Sequence, residues 1–372
     1  MSGLLEEFDS WLRPSGPAAL VIREWLVPVE GRDGVVFPPT FAASKDGPFK
    51  GGYNIDRFTD GTNVCLVDTV GSQANRIEPI FAAEPYCGLV PQVVVVAGAK
   101  RVNLLEAGHR AADALVRCSE LQEELQSAFR AVQSGNAGPL ARIAPTSLVF
   151  GVWDSRDTQA KLPRLVASTI RAFNVKELTR SAVYIPATDY DKSGLLDEAH
   201  DEKIKGAYAE RGFAQVPSSA TPGGVLADGG IRRDAALHLA TLRTLTVDGS
   251  GEDVLCFRRY VLGLALTAFS FPASGYLRQG CNLVQDPDKP IECVAVHRDG
   301  RREAIALDHG HVIAYARAAS KAFDLDPDRE IAFGKGPDRE VPFDAKAART
   351  ELNSGADGDA KKAKKSESRK RL

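Results

Sequence analysis

The sequence lacks the cysteine spacing that builds a disulfide or zinc framework. Its six cysteines form no CxxC pair and follow no regular interval, which predicts reduced and mostly buried thiols. Cys293 and His297 could share one face of a strand, but two ligands do not make a zinc site. We therefore expect neither a disulfide framework nor a metal centre.

Motifs for nucleotide cofactors and for calcium are missing as well. The glycine-rich segment before Ile231 has neither the Gly-Lys-Ser/Thr ending of a P-loop nor the GxGxxG of a dinucleotide fold. Residues 189–200 match a calcium loop at its first, third, fifth and sixth positions, but the twelfth is His200 where a bidentate Glu is needed. The sequence thus predicts no cofactor and no calcium site.

Long hydrophobic runs are also absent. The longest, residues 260–269, is about half of the ~20 residues that span a bilayer. Residues 1–10 are acidic and lack the apolar core of a signal peptide. We expect a cytoplasmic protein that has no membrane partner.

An excess of positive charge is missing from most of the chain. Residues 361–372 hold seven Lys or Arg and one Glu, so the remaining 360 residues carry 40 basic and 48 acidic side chains, a formal net charge of −8. The sequence is low-complexity beyond about residue 353, which predicts a disordered basic tail over 353–372. Any nucleic acid must therefore be met by a local groove.

The strongest functional signal lies in residues 145–184. Residues 147–152 have the pattern of a buried strand, a polar turn stops them, and apolar spacing over 162–173 predicts a helix. Cationic side chains then converge with unpaired backbone N–H groups at a helix N-terminus, which favours a phosphate. These cations are Arg156, Lys161 and Arg164.

Charge and aromatic content favour this interpretation. Residues 153–180 hold six basic side chains against three acidic ones. Trp153 and Tyr184 flank the segment and could stack on bases, although a Trp that closes a strand is more often core. The alternative is that the basic cluster is only a solvated surface.

A second strand–turn–helix unit comes earlier, with a strand over 63–68 and a short helix limited by Pro79. No acidic residue precedes Glu78 in that helix. Its polar N-terminal residues either cap the helix or contact a ligand. They are Ser72, Gln73, Asn75 and Arg76.

Two more basic positions follow glycines or turns. The turn before Ile231 is predicted to deliver Arg232 and Arg233 to the first turn of a helix, and Arg278 lies in a predicted turn. The other predicted elements are a hairpin of residues 19–29 with the segment ending at Pro39, a mobile loop over 42–61, a central strand over 92–97, helices over 106–119, 122–132, 253–271 and 311–323, a flexible loop over 206–230, and a hairpin around Asp299 and Gly300.

Six segments together resemble one family. SQANRIEP, LLEAGHRAADA, PTSLVFGVWDSRDTQAKLPR, LTRSAVY, GGIRRDA and LRQGCNLV are similar to segments of the CRISPR-associated RAMP proteins that form the repeated backbone subunit of type I-G (formerly I-U) Cascade surveillance complexes. The resemblance runs from about residue 20 to residue 325. The WDSRxTxAKxPR block is long enough to be specific.

The resemblance implies an α+β fold with a ferredoxin-like (RRM-like) palm, in which an antiparallel sheet packs against helices. Finger and thumb insertions would extend from this palm. Residues 1–352 would then form a single RNA-binding domain, with insertions at the 42–61 loop and at a candidate thumb over 189–230.

It also implies a function. Copies of the chain would line up as a filament along one guide (CRISPR) RNA, beside other Cascade subunits, and hold its backbone without cutting it or reading its sequence. Target DNA would be met through the guide, in antiviral defence. The implied phosphate and ribose contacts are Asn75, Arg76, Arg156, Lys161, Arg164, Arg232 and Arg233. The candidate set also includes Ser72, Gln73, Trp153 and Arg278, and no catalytic residue is expected.

Two alternatives remain open. A RAMP-type ribonuclease could use His109 or His238 as general base, or a metal held by Asp189 and Asp191. A phosphate or nucleotide binder could use the glycine loop before Ile231. We favour a core-packing role for His109, because it shares a predicted helix face with apolar residues.

Overall fold

The computed structural model describes residues 2–272, 275–323, 339–350 and 352. The fold is α+β, as the sequence predicts. The predicted tail over 353–372 lies outside the described residues. Among those that are described, no helix has both the length and the apolar character needed to cross a bilayer. The six cysteines form no disulfide.

The α-helices of the described chain are α1 (Ser2–Glu6), α2 (Asp9–Leu12), α3 (Val70–Ile77), α4 (Ala114–Arg117), α5 (Gln122–Gln133), α6 (Gly138–Ile143), α7 (Thr146–Phe150), α8 (Glu202–Glu210), α9 (Leu239–Leu242), α10 (Gly251–Ser270) and α11 (His309–Ala322). The strands are β1 (Ala19–Pro28), β2 (Thr40–Phe41), β3 (Gly52–Tyr53), β4 (Ile55–Arg57), β5 (Asn63–Asp68), β6 (Val93–Ala97), β7 (Lys100–Asn103), β8 (Val152–Trp153), β9 (Lys161–Leu162), β10 (Val166–Phe173), β11 (Val175–Tyr184), β12 (Val216–Ala227), β13 (Ile231–Leu237), β14 (Tyr276–Arg278), β15 (Cys281–Gln285), β16 (Glu292–Val296), β17 (Arg302–Ala304) and β18 (Arg339–Pro342).

The largest sheet is antiparallel throughout. Its central strands run in the order β16–β1–β13–β10–β5, with β4 beyond β5 and β17 beyond β16. The far end of β1 pairs instead with β15, which carries β14. A long hairpin of β11 and β12 extends from the β10 side, with α8 between its strands. Separately, β6 lies between β18 and β7.

One face of this sheet is buried, because side chains alternate sides along each strand. On β1, Leu20 and Ile22 join the main apolar cluster, whereas Leu26 joins a second cluster. Glu24 lies between them and pairs across the sheet with Arg233 of β13. This pair, here called the polar row, therefore lies between the two apolar clusters on the buried face.

The main cluster is built around α10. A capping box of Ser250 and Asp253 starts this helix, and its apolar second half is almost completely buried. It packs against α11, which Asp308 caps through the His311 N–H. The sequence prediction of both helices is confirmed, as is that of the β16–β17 hairpin.

Four predicted elements are wrong. Residues 162–173 form mainly strand β10 and not a helix, and residues 147–152 lie mostly in α7. Arg232 and Arg233 belong to strand β13, so they do not open a helix. The predicted flexible loop over 206–230 holds the end of α8 and all of β12. The β-branched, half-buried pattern of β10 suits a strand, and its apolar residues also happen to fit helical spacing.

Three smaller predictions also need correction. Strand β1 pairs with β13, β15 and β16 rather than with the segment ending at Pro39; there Val36 bridges Val225. Residues 106–119 contain 3-10 turns and the short α4 in place of one helix. The loop over 42–61 includes strands β3 and β4.

The contact between α10 and α11 depends on Gly263. A Cβ atom there would lie 2.8 Å from the Cα of Ala316. We predict that Gly263→Ala lowers the free energy of unfolding by about 1–3 kcal/mol, because the helices must separate. Gly251→Ala, in the first turn of α10 with nothing within 4 Å, is the matched control and should be neutral or slightly stabilising. Urea denaturation measures both, and equal stability of the two variants would contradict the prediction.

Candidate nucleic-acid interface

The WDSR loop, residues 153–164, folds around a buried carboxylate. Strands β8 and β9 pair at its base, with Trp153 opposite Lys161. Asp154 accepts hydrogen bonds from the Thr158 backbone N–H (2.8 Å) and hydroxyl (2.7 Å) and from the Asp157 N–H (3.3 Å). Burial raises the pKa of Asp154, but these hydrogen bonds outweigh it and leave the pKa below its usual value. The loop is therefore fixed by an ionised Asp154.

This fixed loop presents its cations to solvent. Trp153 is 57% exposed, and the Lys161 Nζ lies 5.4 Å from the centre of its ring. Arg156 and Arg164 are exposed. Neither guanidinium makes an ion pair with another residue in the part of the chain that the structure describes. Their positive charge is thus available to a partner.

Gly151 sets the entry to the loop. Its φ of 76° is in the left-handed region, and a Cβ there would lie 2.9 Å from Arg164 Cγ and 3.0 Å from the Leu162 carbonyl oxygen. Only glycine allows this approach. The close contact keeps Arg164 against the chain that leaves α7.

Arg110 links the loop to α3. It is 4% exposed and forms a 2.6 Å ion pair with buried Glu78. Its Nη1 donates to the Gly151 carbonyl (3.3 Å) and its Nη2 to the Asn75 side-chain oxygen (3.4 Å). The WDSR loop and the last turn of α3 are therefore neighbouring parts of one surface. The predicted core-packing role of His109 is wrong, because His109 is exposed; its neighbour Arg110 is the buried residue.

The end of α3 carries the exposed side chains Asn75 and Arg76. Thr69, not a later residue, caps the helix N-terminus by accepting from the Ser72 N–H at 3.0 Å. Asn75 and Arg76 therefore lie in the last turn. They are therefore not at the helix N-terminus, where the sequence had placed them for ligand contact. Half-buried Ser72 belongs to the N-terminal cap.

Asp68, at the end of β5, gathers the remaining groups. It is fully buried and accepts from Gln73 Nε2 (2.6 Å), Arg76 Nε (3.2 Å) and Arg278 Nη2 (2.8 Å). Gln73 is itself buried, where its side-chain oxygen accepts from the Ser168 hydroxyl at 2.9 Å. Gln73 is thus an internal support, whereas Arg76 reaches the surface.

Arg232 and Arg233 lie on opposite faces of β13. Arg233 is buried and its Nε donates to Glu24 at 2.6 Å, within the polar row. Arg232 points to the other face, where it pairs with Asp234 and lies over the Trp25 ring. Both guanidinium groups therefore pair with residues of the sheet. They do not lie at a helix N-terminus, where the sequence predicted them.

The structure thus brings nine of the eleven candidate residues into two adjoining groups. One group is the loop, with Trp153, Arg156, Lys161 and Arg164. The other surrounds α3 and Asp68, with Ser72, Gln73, Asn75, Arg76 and Arg278. Asp68 and the linking role of Arg110 were not predicted from the sequence, because Arg278 lies 210 residues from Asp68 and Gly151 lies 41 residues from Arg110.

Of the candidate catalytic groups, Asp189 and Asp191 lie side by side at exposed positions. No cluster of three or more His, Cys, Asp or Glu suited to a metal occurs among the described residues. Asp189 lies next to Lys192 Nζ at 2.8 Å. The geometry therefore offers cations for an anionic ligand and no visible constellation of base, nucleophile and stabiliser in the described part of the chain.

Comparison with known proteins agrees with a link to CRISPR. Residues 20–177 match the model of the family described as CRISPR-associated protein GSU0053. This match indicates a CRISPR-associated protein. The matched region includes α3, Arg110 and the whole WDSR loop. No curated protein matches the chain.

The buried pair of Glu78 and Arg110 has a consequence for stability. Burial raises the pKa of Glu78 from 4.5 to about 7, although Arg110 opposes the shift. The folded state thus holds the proton of the Glu78 carboxyl group more tightly than the unfolded chain does. We predict that the Glu78 contribution to the free energy of unfolding is complete below pH 4.5 and is lost as the pH rises through 7.

Chemical denaturation at pH values from 5 to 8 tests this. Glu78→Gln should remove that part of the pH dependence, whereas Glu106→Gln, at an exposed position, should keep the wild-type profile. Identical pH profiles for wild type and Glu78→Gln would contradict the prediction.

Proposed function

We propose that this chain is a non-catalytic backbone subunit of a type I CRISPR surveillance complex, which oligomerises along guide RNA and presents it to target DNA. One observation carries the proposal. Within the described residues, the exposed cations of the WDSR loop have no ion-pair partner, and they adjoin Asn75 and Arg76. Residues 1–360 carry a net negative charge, so this positive charge is local. Local positive charge of this kind suits a polyanion that is held by its phosphates.

The sheet order supports an RRM-like palm. A ferredoxin-like βαββαβ unit places its four strands antiparallel in the order 4-1-3-2. Strands β16, β1, β13 and β10 have this order, with α10 between β13 and β16 and with α4 to α7 between β1 and β10. In such a palm, the WDSR loop comes directly before the second strand.

The β11–β12 hairpin supports a thumb. It interrupts the chain between β10 and β13 and overlaps the segment 189–230. Several apolar side chains near its end are exposed, which favours a contact with another chain. They are Val183, Tyr184, Ile185 and Leu195. We propose that the neighbour in the filament covers them.

Binding to single-stranded RNAs of increasing length, across a salt series, tests the function. Stepwise loading with length, indifferent to sequence, would support a filament. The slope of log K against log[salt] should be about −0.7 per phosphate contacted. RNA that stays intact during prolonged incubation with divalent metal would support a non-catalytic role. Absence of binding at low salt, also after co-expression with a guide RNA, would overturn the proposal.

We predict that Arg156→Glu combined with Lys161→Glu weakens RNA binding for all sequences alike. Each reversal replaces an attraction to phosphate by a repulsion, so affinity should fall by about tenfold or more at moderate salt. The matched control is Arg13→Glu with Lys321→Glu, two exposed positions on other elements. A loss confined to one RNA sequence, or an equal loss in the control, would contradict the backbone-contact model.

A further inference from the structure

Arg76 reaches its surface position through a contact that leaves most of the guanidinium unused. Only its Nε bonds to Asp68, and its two Nη atoms have no partner among the residues that the structure describes. The side chain is 37% exposed. The two Nη atoms are thus the outward edge of an arginine whose inner edge is fixed.

Arg278 holds the carboxylate from the other side. Its Nη1 donates to the Val67 carbonyl at 2.9 Å and its Nη2 to Asp68 at 2.8 Å. Two guanidinium groups therefore share one carboxylate, and the cluster keeps one net positive charge. Arg76 is 37% exposed and Arg278 is 24% exposed, so the more accessible of the two positive charges is that of Arg76.

Asp68 cannot easily turn away from this arrangement. Its other bond comes from Gln73, which Ser168 of the next strand holds in place. The sheet register sets Asp68 opposite Ile170 on that strand. The carboxylate is therefore fixed from the strand side and from the helix side at once.

We propose that Asp68 is a positioning residue, which orients Arg76, with Arg278 behind it, so that the free Nη edge meets one phosphodiester of the RNA backbone. This inference rests on the proposed function and names a contact geometry within it. A bidentate arginine contact to phosphate needs a fixed guanidinium plane, which a mobile surface arginine does not supply.

The sign of the effect separates this idea from simple electrostatics. A negative charge close to bound RNA repels it, so removal of the Asp68 charge should tighten binding if only net charge mattered. If Asp68 positions Arg76, the same change should weaken binding. The two explanations thus predict opposite directions for one substitution.

The test is RNA binding by full-length Asp68→Asn across a salt series. We expect about tenfold weaker binding, the equivalent of one charge-assisted hydrogen-bonded contact, and a salt slope smaller by about 0.7. Asp60→Asn is the control, because it removes the same charge from an exposed turn before β5. Asp68→Asn should add no further loss in an Arg76→Gln background.

A charge-conserving variant covers the case in which Asp68→Asn does not fold. Arg76→Lys keeps the charge but loses the planar fork, so it should also bind several-fold more weakly. Arg301→Lys, in the β16–β17 turn, should bind as the wild type does. These two variants change no net charge and test geometry alone.

Each outcome has one meaning. If the wild type binds RNA and Asp68→Asn binds as tightly or more tightly, the positioning role is overturned and the proposed function stays intact. Where Asp68→Asn is unfolded, the same result for Arg76→Lys has the same meaning. An additive loss in the Arg76→Gln background would also overturn it. No binding by the wild type would overturn the proposed function, and this inference with it.

Discussion

The buried guanidinium of Arg110 contacts Glu78, the end of α3 and the start of the WDSR loop. It pairs with Glu78, donates to Asn75 at the end of α3, and donates to the Gly151 carbonyl at the start of the WDSR loop. A buried charge is costly unless it is paired and hydrogen-bonded, so the three elements must stay together for Arg110 to stay satisfied. The exposed cations on either side owe their proximity to this one buried residue.

A second constraint comes from the sheet. Its buried face holds apolar side chains at both ends, with the polar row of Glu24 and Arg233 between them. Asp68, at the end of β5, pairs with Arg278 and accepts from Gln73 and Arg76 of α3. The surface that carries Arg76 therefore depends on a buried carboxylate for its shape.

Local signals predicted much of the fold. The apolar pattern of residues 253–271 predicted helix α10, and the Asp-Gly turn at 299–300 predicted the β16–β17 hairpin. Strand β10 was mistaken for a helix because its apolar positions fit both periods, and only pairing with β13 and β5 decides between them. Arg232 and Arg233 were predicted at a helix start because a glycine-rich turn precedes them, and only the pairing of β13 with β1 and β10 identifies a strand.

The sequence predicted which segments form the candidate site, but it did not predict the contacts that hold those segments together. The WDSR loop and the end of α3 stand out in the sequence as basic or polar segments. The helix N-terminus that was expected to bind phosphate is absent, because strand β10 and not a helix follows the loop. Asp68 meets partners 5, 8 and 210 residues away. No local pattern records such contacts.

The most direct test of the central claim is photo-crosslinking of 4-thiouridine RNA to the assembled protein, with the crosslinked peptides mapped by mass spectrometry. If RNA runs along the surface that Arg110 connects, crosslinks should fall both in the WDSR loop, at or next to Trp153, and in the peptide that contains Asn75 and Arg76. Crosslinks confined to the opposite face of the sheet, around Trp25 and Phe173, with none in either of those peptides, would contradict the account.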